Sequence, residues 1–139
     1  MTKLTNFIYC LNAERVGSNN GTGDGINALG VLSNMLLEFI PGTFSYSIIF
    51  TILGMDFDCS NRIRIVLKDP VDKVVIDTGE TLLPPISNGN STIPNEYSGL
   101  NMSMDLRNVI FETKGVYKTE VYFNGKLLKS NEIYVDSKR

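Results

Sequence analysis

The sequence contains no histidine and only two cysteines, Cys10 and Cys59. Without an imidazole the chain can form neither a histidine general base, nor a Ser–His catalytic pair, nor a histidine-ligated zinc site. Two cysteines are also too few for a four-thiolate metal site. The sequence therefore predicts a protein that is not an enzyme and that has no catalytic residue, no metal and no cofactor.

Long apolar runs and a strong charge bias are also missing. No apolar run approaches the roughly 18 residues of a membrane-spanning helix, and residues 1–6 lack the apolar core of a signal peptide. The formal net charge is −2, and the lysines and arginines are scattered along the chain. We expect a cytoplasmic protein that binds neither membrane nor nucleic acid, with both cysteines as buried free thiols.

The composition is that of a folded globular protein. Of the 139 residues, 42% are apolar and 20% are charged, which is far from the composition of disordered chains. A chain of this length buries enough surface to form one core. We expect one domain over residues 1–139.

Alternating apolar and polar residues predict strands along most of the chain. The clearest strand is at residues 100–107, and residues 46–53 are apolar on both faces, which indicates a central strand. The dipeptide Asn124-Gly125 separates two β-rich runs and suits the positive φ angles of a type I′ hairpin. Tyr117 is either a tyrosine corner, whose hydroxyl pins the preceding connection, or a plain core tyrosine.

Two segments are harder to assign. Residues 26–41 carry apolar side chains at helical spacing, but Gly30 disfavours a helix, so we predict a strand near residues 28–33 followed by an irregular segment. Residues 84–97 hold three prolines and a polar run, which predicts a long surface loop. The pattern predicts an all-β fold, an immunoglobulin-like antiparallel β-sandwich of about seven or eight strands with Greek-key connections.

Several turns and core positions bear on family membership. They are the opening strand at residues 7–16, Leu29-Gly30-Val31, Ile65-Val66-Leu67-Lys68-Asp69-Pro70, Gly115-Val116-Tyr117, Val121, Asn124-Gly125 and Leu128. In this order the sequence resembles a family of small uncharacterised bacterial and phage β-sandwich proteins, a domain of unknown function. The resemblance implies an immunoglobulin-like fold and carries no activity.

The glycine-rich residues 17–25 are the candidate ligand-binding segment, because glycine-rich turns can present backbone N–H groups to an anion. The segment lacks the lysine of a P-loop, and a single aspartate does not make a calcium site. It is either a flexible hairpin connection or a ligand-contacting loop. The candidate ligand-binding residues are Asn20, Gly21, Thr22, Gly23 and Asp24.

Acidic and apolar residues outside this loop give two further candidates. Asp56 and Asp58 form either a cation or acid–base pair or a solvated loop, and their surroundings favour the loop. Five apolar residues fall on strand positions that should face solvent, so either residues 26–41 and the long loop cover them or a second subunit does. These candidate interface residues are Ile49, Leu53, Val66, Tyr122 and Tyr134.

Two functions from different classes fit these observations. The first is a non-enzymatic protein-interaction module that self-associates, so that its partner is a protein or a second copy in a homo-oligomer. The alternative is a small-ligand binding protein, for a nucleotide or a sugar, in which the loops at residues 17–25 and 84–97 form the walls of a pocket.

Overall fold

The computed structural model describes residues 2–16, 25–56, 58–85 and 92–139. These residues form ten β-strands and one turn of 3₁₀ helix at Asn95–Tyr97, and none of their helical structure is long or apolar enough to cross a membrane. The all-β prediction is confirmed. The strands are β1 (Lys3–Val16), β2 (Gly25–Leu32), β3 (Asn34–Leu37), β4 (Gly42–Leu53), β5 (Asn61–Lys68), β6 (Val74–Asp77), β7 (Thr81–Leu83), β8 (Gly99–Phe111), β9 (Gly115–Phe123) and β10 (Lys126–Ser137).

The strands form two sheets that pack face to face as a β-sandwich. Sheet A has the strand order β2-β1-β4-β8, and sheet B has the order β3-β10-β9-β5-β6, with β7 also paired to β5. Alternation along each strand places every second side chain in the core between the sheets, as it does for Ile48 and Phe50 of sheet A and for Val121 and Val135 of sheet B. We call the opposite face of each sheet its outer face.

The sheets differ from the sequence prediction in three respects. The described residues hold ten strands rather than seven or eight, and residues 26–41 hold both β2 and β3 where a strand and an irregular segment were expected. In addition, β3 runs parallel to β10, with Met35 beside Val135, whereas every pair was expected to be antiparallel. A four-residue strand repeats its pattern too few times to be recognised, and local sequence does not specify its distant partner.

The hairpin of β9 and β10 forms at the predicted dipeptide. Asn124 and Gly125 have φ angles of 51° and 80°, so both residues take the positive φ that a type I′ turn requires. The Asn124 side chain also ties the turn to β5, because its Oδ1 accepts a hydrogen bond from the backbone N–H of Arg62 at 2.8 Å. Its Nδ2 donates to Asn61 Oδ1 at 3.0 Å.

Tyr117 is buried at the start of β9, and its hydroxyl reaches back into the preceding connection. Its Oη donates a hydrogen bond to the carbonyl of Thr113 at 2.7 Å. This is the geometry of a tyrosine corner, in which the hydroxyl holds the chain a few residues upstream. Of the two roles left open for Tyr117, the corner is the one observed.

A second tyrosine joins the two sheets inside the core. The Oη of Tyr9, on β1, shares a hydrogen bond of 2.7 Å with Oγ1 of Thr119, on β9. Burial raises the pKa of Tyr9 to about 12, and the hydrogen bond to Thr119 only partly offsets this. A polar contact therefore ties sheet A to sheet B within an otherwise apolar core.

Candidate functional site

The outer face of sheet B is charged over most of β5, β6 and β9. Arg64 Nε donates to Asp77 Oδ1 at 2.9 Å, and Lys68 Nζ lies 3.1 Å from Glu120 Oε1. The Arg64 guanidinium also lies 5.5 Å from the centre of the Tyr122 ring, within range of a cation–π interaction. The charged groups in this region are therefore engaged with one another.

These ion pairs shift the pKa of their members. The Arg64 guanidinium, followed by the backbone N–H of Gly79, lowers the pKa of Asp77 from 3.8 to about 2. The hydrogen bond to Asp77 raises the pKa of Arg64, and the hydrogen bond to Glu120 raises the pKa of Lys68. Each of these groups is thus held in its charged form, so the region has the properties of a structural network.

One corner of the same face is apolar. Leu36, Val116 and Tyr134 are 49%, 39% and 46% exposed. Tyr134 lies directly opposite Val116 in the β9–β10 pair, and Leu36 lies beside Asp136, two residues further along β10. The residue between them, Val135, points into the core. The three side chains therefore project from the same face, with Leu36 diagonally across from Tyr134, whose direct partner on β3 is Asn34. We refer to Leu36, Val116 and Tyr134 as the sheet B corner.

Charged residues of both signs border the sheet B corner. Glu132 and Asp136 lie on β10 on either side of Tyr134, on the same face because side chains alternate. Lys118 lies on β9 directly opposite Glu132, and its Nζ is 3.3 Å from Oδ1 of the exposed Asp72. The corner therefore has the make-up of an apolar patch with a polar rim.

The outer face of sheet A is covered by the first hairpin of the chain. β1 pairs with β4 only as far as Cys10, which lies opposite Ser47, and beyond this point it pairs with β2 alone. The hairpin then crosses the sheet, because the Arg15 guanidinium donates to the carbonyl of Asn101 on β8 at 3.3 Å although β4 lies between β1 and β8. Cys10 and Ser47 are fully buried, and Ile49 is 8% exposed.

Polar contacts lie beneath this hairpin. Ser47 Oγ donates a hydrogen bond to Asp105 Oδ1 at 2.6 Å. Burial raises the pKa of the Cys10 thiol, while backbone hydrogen bonds from Asn12 and Leu29 act in the opposite direction. Asn12 and Leu29 face each other in the β1–β2 pair, so the backbone of the hairpin lies against the sulfur.

The segment after β4 is a polar turn. The backbone N–H of Asp58 donates to Asp56 Oδ1, and Asn61 Nδ2 donates to the Asp56 carbonyl, both at 2.9 Å. Cys59 is exposed, which corrects the expectation of two buried thiols, because it lies in this turn and not in a strand. Desolvation and the charge of Asp56 raise the pKa of the Cys59 thiol. Within the described ranges, no three acidic or cysteine side chains are grouped so as to hold a metal ion.

Comparison with known proteins adds the family. A family described as being of unknown function, DUF6941, matches residues 10–136. The chain belongs to the DUF6941 family. The DUF6941 match begins in β1 and ends in β10, so it includes both sheets, the β1–β2 hairpin and the sheet B corner. The expectation of a family of unknown function is confirmed. No curated protein matches the chain.

The DUF6941 match includes all five predicted interface residues, which the structure places in different surroundings. Ile49 is buried under the β1–β2 hairpin, and Val66 is 3% exposed among the ion pairs of sheet B. Leu53 and Tyr122 are half-buried, and Tyr134 is exposed in the sheet B corner. Other parts of the chain cover Ile49 and Val66. The predicted interface residues that retain exposed surface are Leu53, Tyr122 and Tyr134.

Leu36 and Val116 are corner residues that the sequence analysis did not single out. Each alternates with a buried neighbour, since Met35 and Leu37 flank Leu36 and Tyr117 follows Val116. This alternation is a usable signal for an outward side chain. Their proximity follows only from the pairing of β3 with β10, which the local pattern does not specify.

The five predicted ligand-binding residues lie outside the described part of the chain: Asn20, Gly21, Thr22, Gly23 and Asp24. The flanks of both proposed pocket walls are described. Arg15, which precedes the loop at residues 17–25, contacts Asn101 near the start of β8. The loop at residues 84–97 ends at Tyr97, two residues before β8 begins. The described flanks of the two loops therefore both lie near the start of β8.

Proposed function

We propose that this member of the DUF6941 family is a non-enzymatic protein-interaction module that associates with a second copy of itself through the sheet B corner. The observation that carries the proposal is the apolar corner itself, on a sheet face whose neighbouring long side chains are ion-paired. Exposed apolar patches rimmed by polar residues mark protein interfaces.

The charges around the corner support a second copy as the partner. Two copies can pack the outer faces of their B sheets together around a twofold axis that runs parallel to the strands and lies between β9 and β10. In this arrangement β9 of one copy lies on β10 of the other. Because Lys118 and Glu132 are register partners, this arrangement sets Lys118 of one copy against Glu132 of the second. Tyr134 of one copy then packs on Val116 of the second, so apolar groups meet apolar groups and opposite charges meet.

The size of the face fits a small stable interface. β10, β9 and β5 hold 12, 9 and 8 residues, whereas β3 and β6 hold 4 each. At about 3.3 Å per residue and about 4.8 Å between strands, the face spans roughly 600 Å². This is the low end of the roughly 600–1,000 Å² that each partner buries in a standard interface.

Sedimentation velocity at high micromolar concentration tests this proposal. We expect a dimer for the unaltered chain, and a monomer for Val116→Lys and Tyr134→Lys, because each variant places an ammonium group in the apolar centre of the interface. Val16→Lys is the matched control, since Val16 is 44% exposed at the end of β1 in sheet A, and it should remain a dimer. A strict monomer for the unaltered chain, or dissociation by Val16→Lys alone, contradicts the proposal.

A small-ligand binding protein is the second candidate function. It is favoured by the position of both loop flanks near the start of β8, where Arg15 supplies a cation. A thermal-shift screen with nucleotides and sugars tests it, because a ligand at 100 times its Kd adds about 2.7 kcal/mol of stability. A screen without any stabilising compound speaks against a nucleotide or sugar pocket.

The class of the sandwich and the cellular location of the protein can also be proposed. We infer that the sandwich is of the immunoglobulin-like class, which the tyrosine corner at Tyr117 supports. We also infer a cytoplasmic location, which the free thiols of Cys10 and Cys59 support. The bacterial or phage origin that the resemblance implies stays a prediction.

A further inference from the structure

A groove opens beside the sheet B corner, where β3 ends. It has a volume of about 410 Å³, and Leu36 of the corner forms part of its wall. Phe39, Pro41 and Phe44 form further apolar parts of the wall, and Phe39 is 59% exposed. We refer to Leu36, Phe39, Pro41 and Phe44 as the Phe39 groove. Because it shares Leu36 with the corner, the groove continues the proposed interface beyond the edge of sheet B.

The area of the proposed interface favours such an extension. The outer face of sheet B spans roughly 600 Å², from strands about 4.8 Å apart. This is the low end of the roughly 600–1,000 Å² that each partner buries in a standard interface. A contact that also fills the Phe39 groove brings the buried area further into this range.

The turn between β5 and β6, at residues 69–73, lies beside the start of β9. The β5–β9 register, continued three residues past the end of β5, brings Gly115 level with Val71. The position of Pro70 agrees, because its Cγ lies 2.7 Å from the place that a Cβ atom of Gly115 would take. The turn therefore lies level with the first residue of β9.

The Phe39 groove begins at the same level on the other side of the β9–β10 pair. Gly115 pairs with Val135 of β10, and Val135 lies beside Met35 of β3, which Leu36 follows. β5 and β3 are each one strand away from the β9–β10 pair. The proposed twofold axis between β9 and β10 therefore brings the turn of one copy against the groove of the other.

The turn carries an apolar side chain next to a carboxylate. Val71 is 81% exposed. Asp72 reaches the outer face of sheet B, since its Oδ1 lies 3.3 Å from Nζ of Lys118, whose side chain is on that face. An apolar group at the tip of an exposed turn can enter a groove without any change in the sheets.

The groove carries the complementary groups. The Arg139 guanidinium lies 5.6 Å from the centre of the Phe39 ring, and it forms no ion pair within the part of the chain that the structure describes. The other charges at the rim are neutralised, because Lys138 Nζ lies 3.0 Å from Glu38 Oε1. An apolar wall beside a cation thus faces an apolar side chain beside a carboxylate.

From these observations we infer that, in the dimer, Val71 of each copy inserts into the Phe39 groove of the other, with Asp72 beside Arg139. The inference rests on the proposed self-association, and it names the contact that extends the interface beyond the sheet B corner. Because the axis is twofold, each dimer contains this contact twice.

A double-mutant cycle on the dimer dissociation constant, measured by sedimentation equilibrium, tests the inference. Val71→Ala and Phe39→Ala should each raise the constant roughly tenfold, because each removes buried apolar surface at two places in the dimer. The double variant should raise it far less than the roughly hundredfold expected of independent sites, because either truncation alone removes the contact. Within one copy the two residues lie on opposite sides of the β9–β10 pair, so their coupling arises across the interface.

Val31→Ala is the matched control. It removes the same two methyl groups from another exposed valine, which is 66% exposed on β2 of sheet A, and it should leave the dissociation constant unchanged. Urea unfolding checks that every variant is folded. If Phe39→Ala does not fold, the comparison of Val71→Ala with Val31→Ala decides, because both valines are exposed in a single copy and their truncation spares the core.

The outcomes separate this inference from the proposed function. A strict monomer for the unaltered chain overturns both. A dimer that Tyr134→Lys dissociates, but that Val71→Ala and Phe39→Ala leave intact, overturns the inference alone. Single losses that multiply in the double variant also overturn it, as does an equal loss in Val31→Ala.

Discussion

The two sheets bury apolar side chains on their outer faces by different means. On sheet A, Ile49 lies under a separate piece of backbone, the β1–β2 hairpin. On sheet B, Val66 lies between the long side chains of Arg64 and Lys68, whose charged ends are held by acidic partners. Similar burial therefore arises from a backbone cover in one place and from paired long side chains in the other.

Placing an ammonium group at each buried position should give the largest effect. Ile49→Lys should lower the free energy of unfolding by about 3–5 kcal/mol, because it places a charge at a position that is 8% exposed beneath the hairpin. Val66→Lys should cost only about 1–3 kcal/mol, because the register places Val66 directly opposite Asp77 and Glu120, whose carboxylates can pair with the new charge. Urea denaturation measures both values. Leu82→Lys, at an exposed position, serves as the control, and equal losses at Ile49 and Val66 would remove the distinction between the sheets.

A smaller effect is expected from the polar contact under the hairpin. Ser47→Ala removes the 2.6 Å hydrogen bond to Asp105 and should lower the free energy of unfolding by about 1 kcal/mol. The loss stays modest because Asp105 is itself exposed and its carboxylate can turn to water. Ser130→Ala, at an exposed position of β10, should change stability by less than about 0.5 kcal/mol. No difference between the two variants would show that the covered contact contributes nothing.

The smallest effect concerns the charged cover of sheet B and depends on pH. The pKa of Asp77 is about 2 in the folded chain, below its ordinary value of 3.8, so its pairing with Arg64 stabilises the fold above about pH 4. This stabilisation is lost as the pH falls towards 2. The difference in urea midpoint between the unaltered chain and Arg64→Ala should therefore disappear over this range.

Carboxyl NMR titration checks the cause of this pH dependence. In Arg64→Ala the Asp77 midpoint should rise from about 2 towards 3.8, whereas Arg107→Ala, which alters an exposed arginine of sheet A, should leave it in place. An unchanged midpoint in Arg64→Ala would mean that the backbone N–H of Gly79 alone holds the charge.

Local signals in the sequence predicted the parts of the fold that depend on neighbouring residues. The Asn124-Gly125 turn requires only positive φ angles at two adjacent positions, and both are observed. The alternation at residues 100–107 likewise places its apolar side chains on the core-facing side of β8. Such features can be read from short windows because their causes lie within those windows.

The candidate surfaces depended on contacts between distant segments and could be predicted only in part. Tyr134 was singled out from its strand position, but its neighbour Leu36 reaches it through the parallel β3–β10 pair. For Ile49 and Val66 the sequence leaves open whether residues 26–41 and the long loop or a second subunit cover them. The β1–β2 hairpin, which includes part of residues 26–41, covers Ile49, whereas long polar side chains cover Val66. Alternation indicates which way a side chain points and does not say what lies above it.

The parallel pairing of β3 with β10 also sets the order in which a growing chain can complete its fold. The ribosome releases β3 long before β10, and the two strands that flank β10, β3 and β9, cannot be joined until it emerges. Until then Met35 and Leu37 lack the strand that aligns them with the core, and the nascent chain presents two open strand edges. Such intermediates are the species that chaperones protect from aggregation. β10 thus joins β3 to the rest of sheet B, and a chain that stops before β10 leaves that sheet in two pieces.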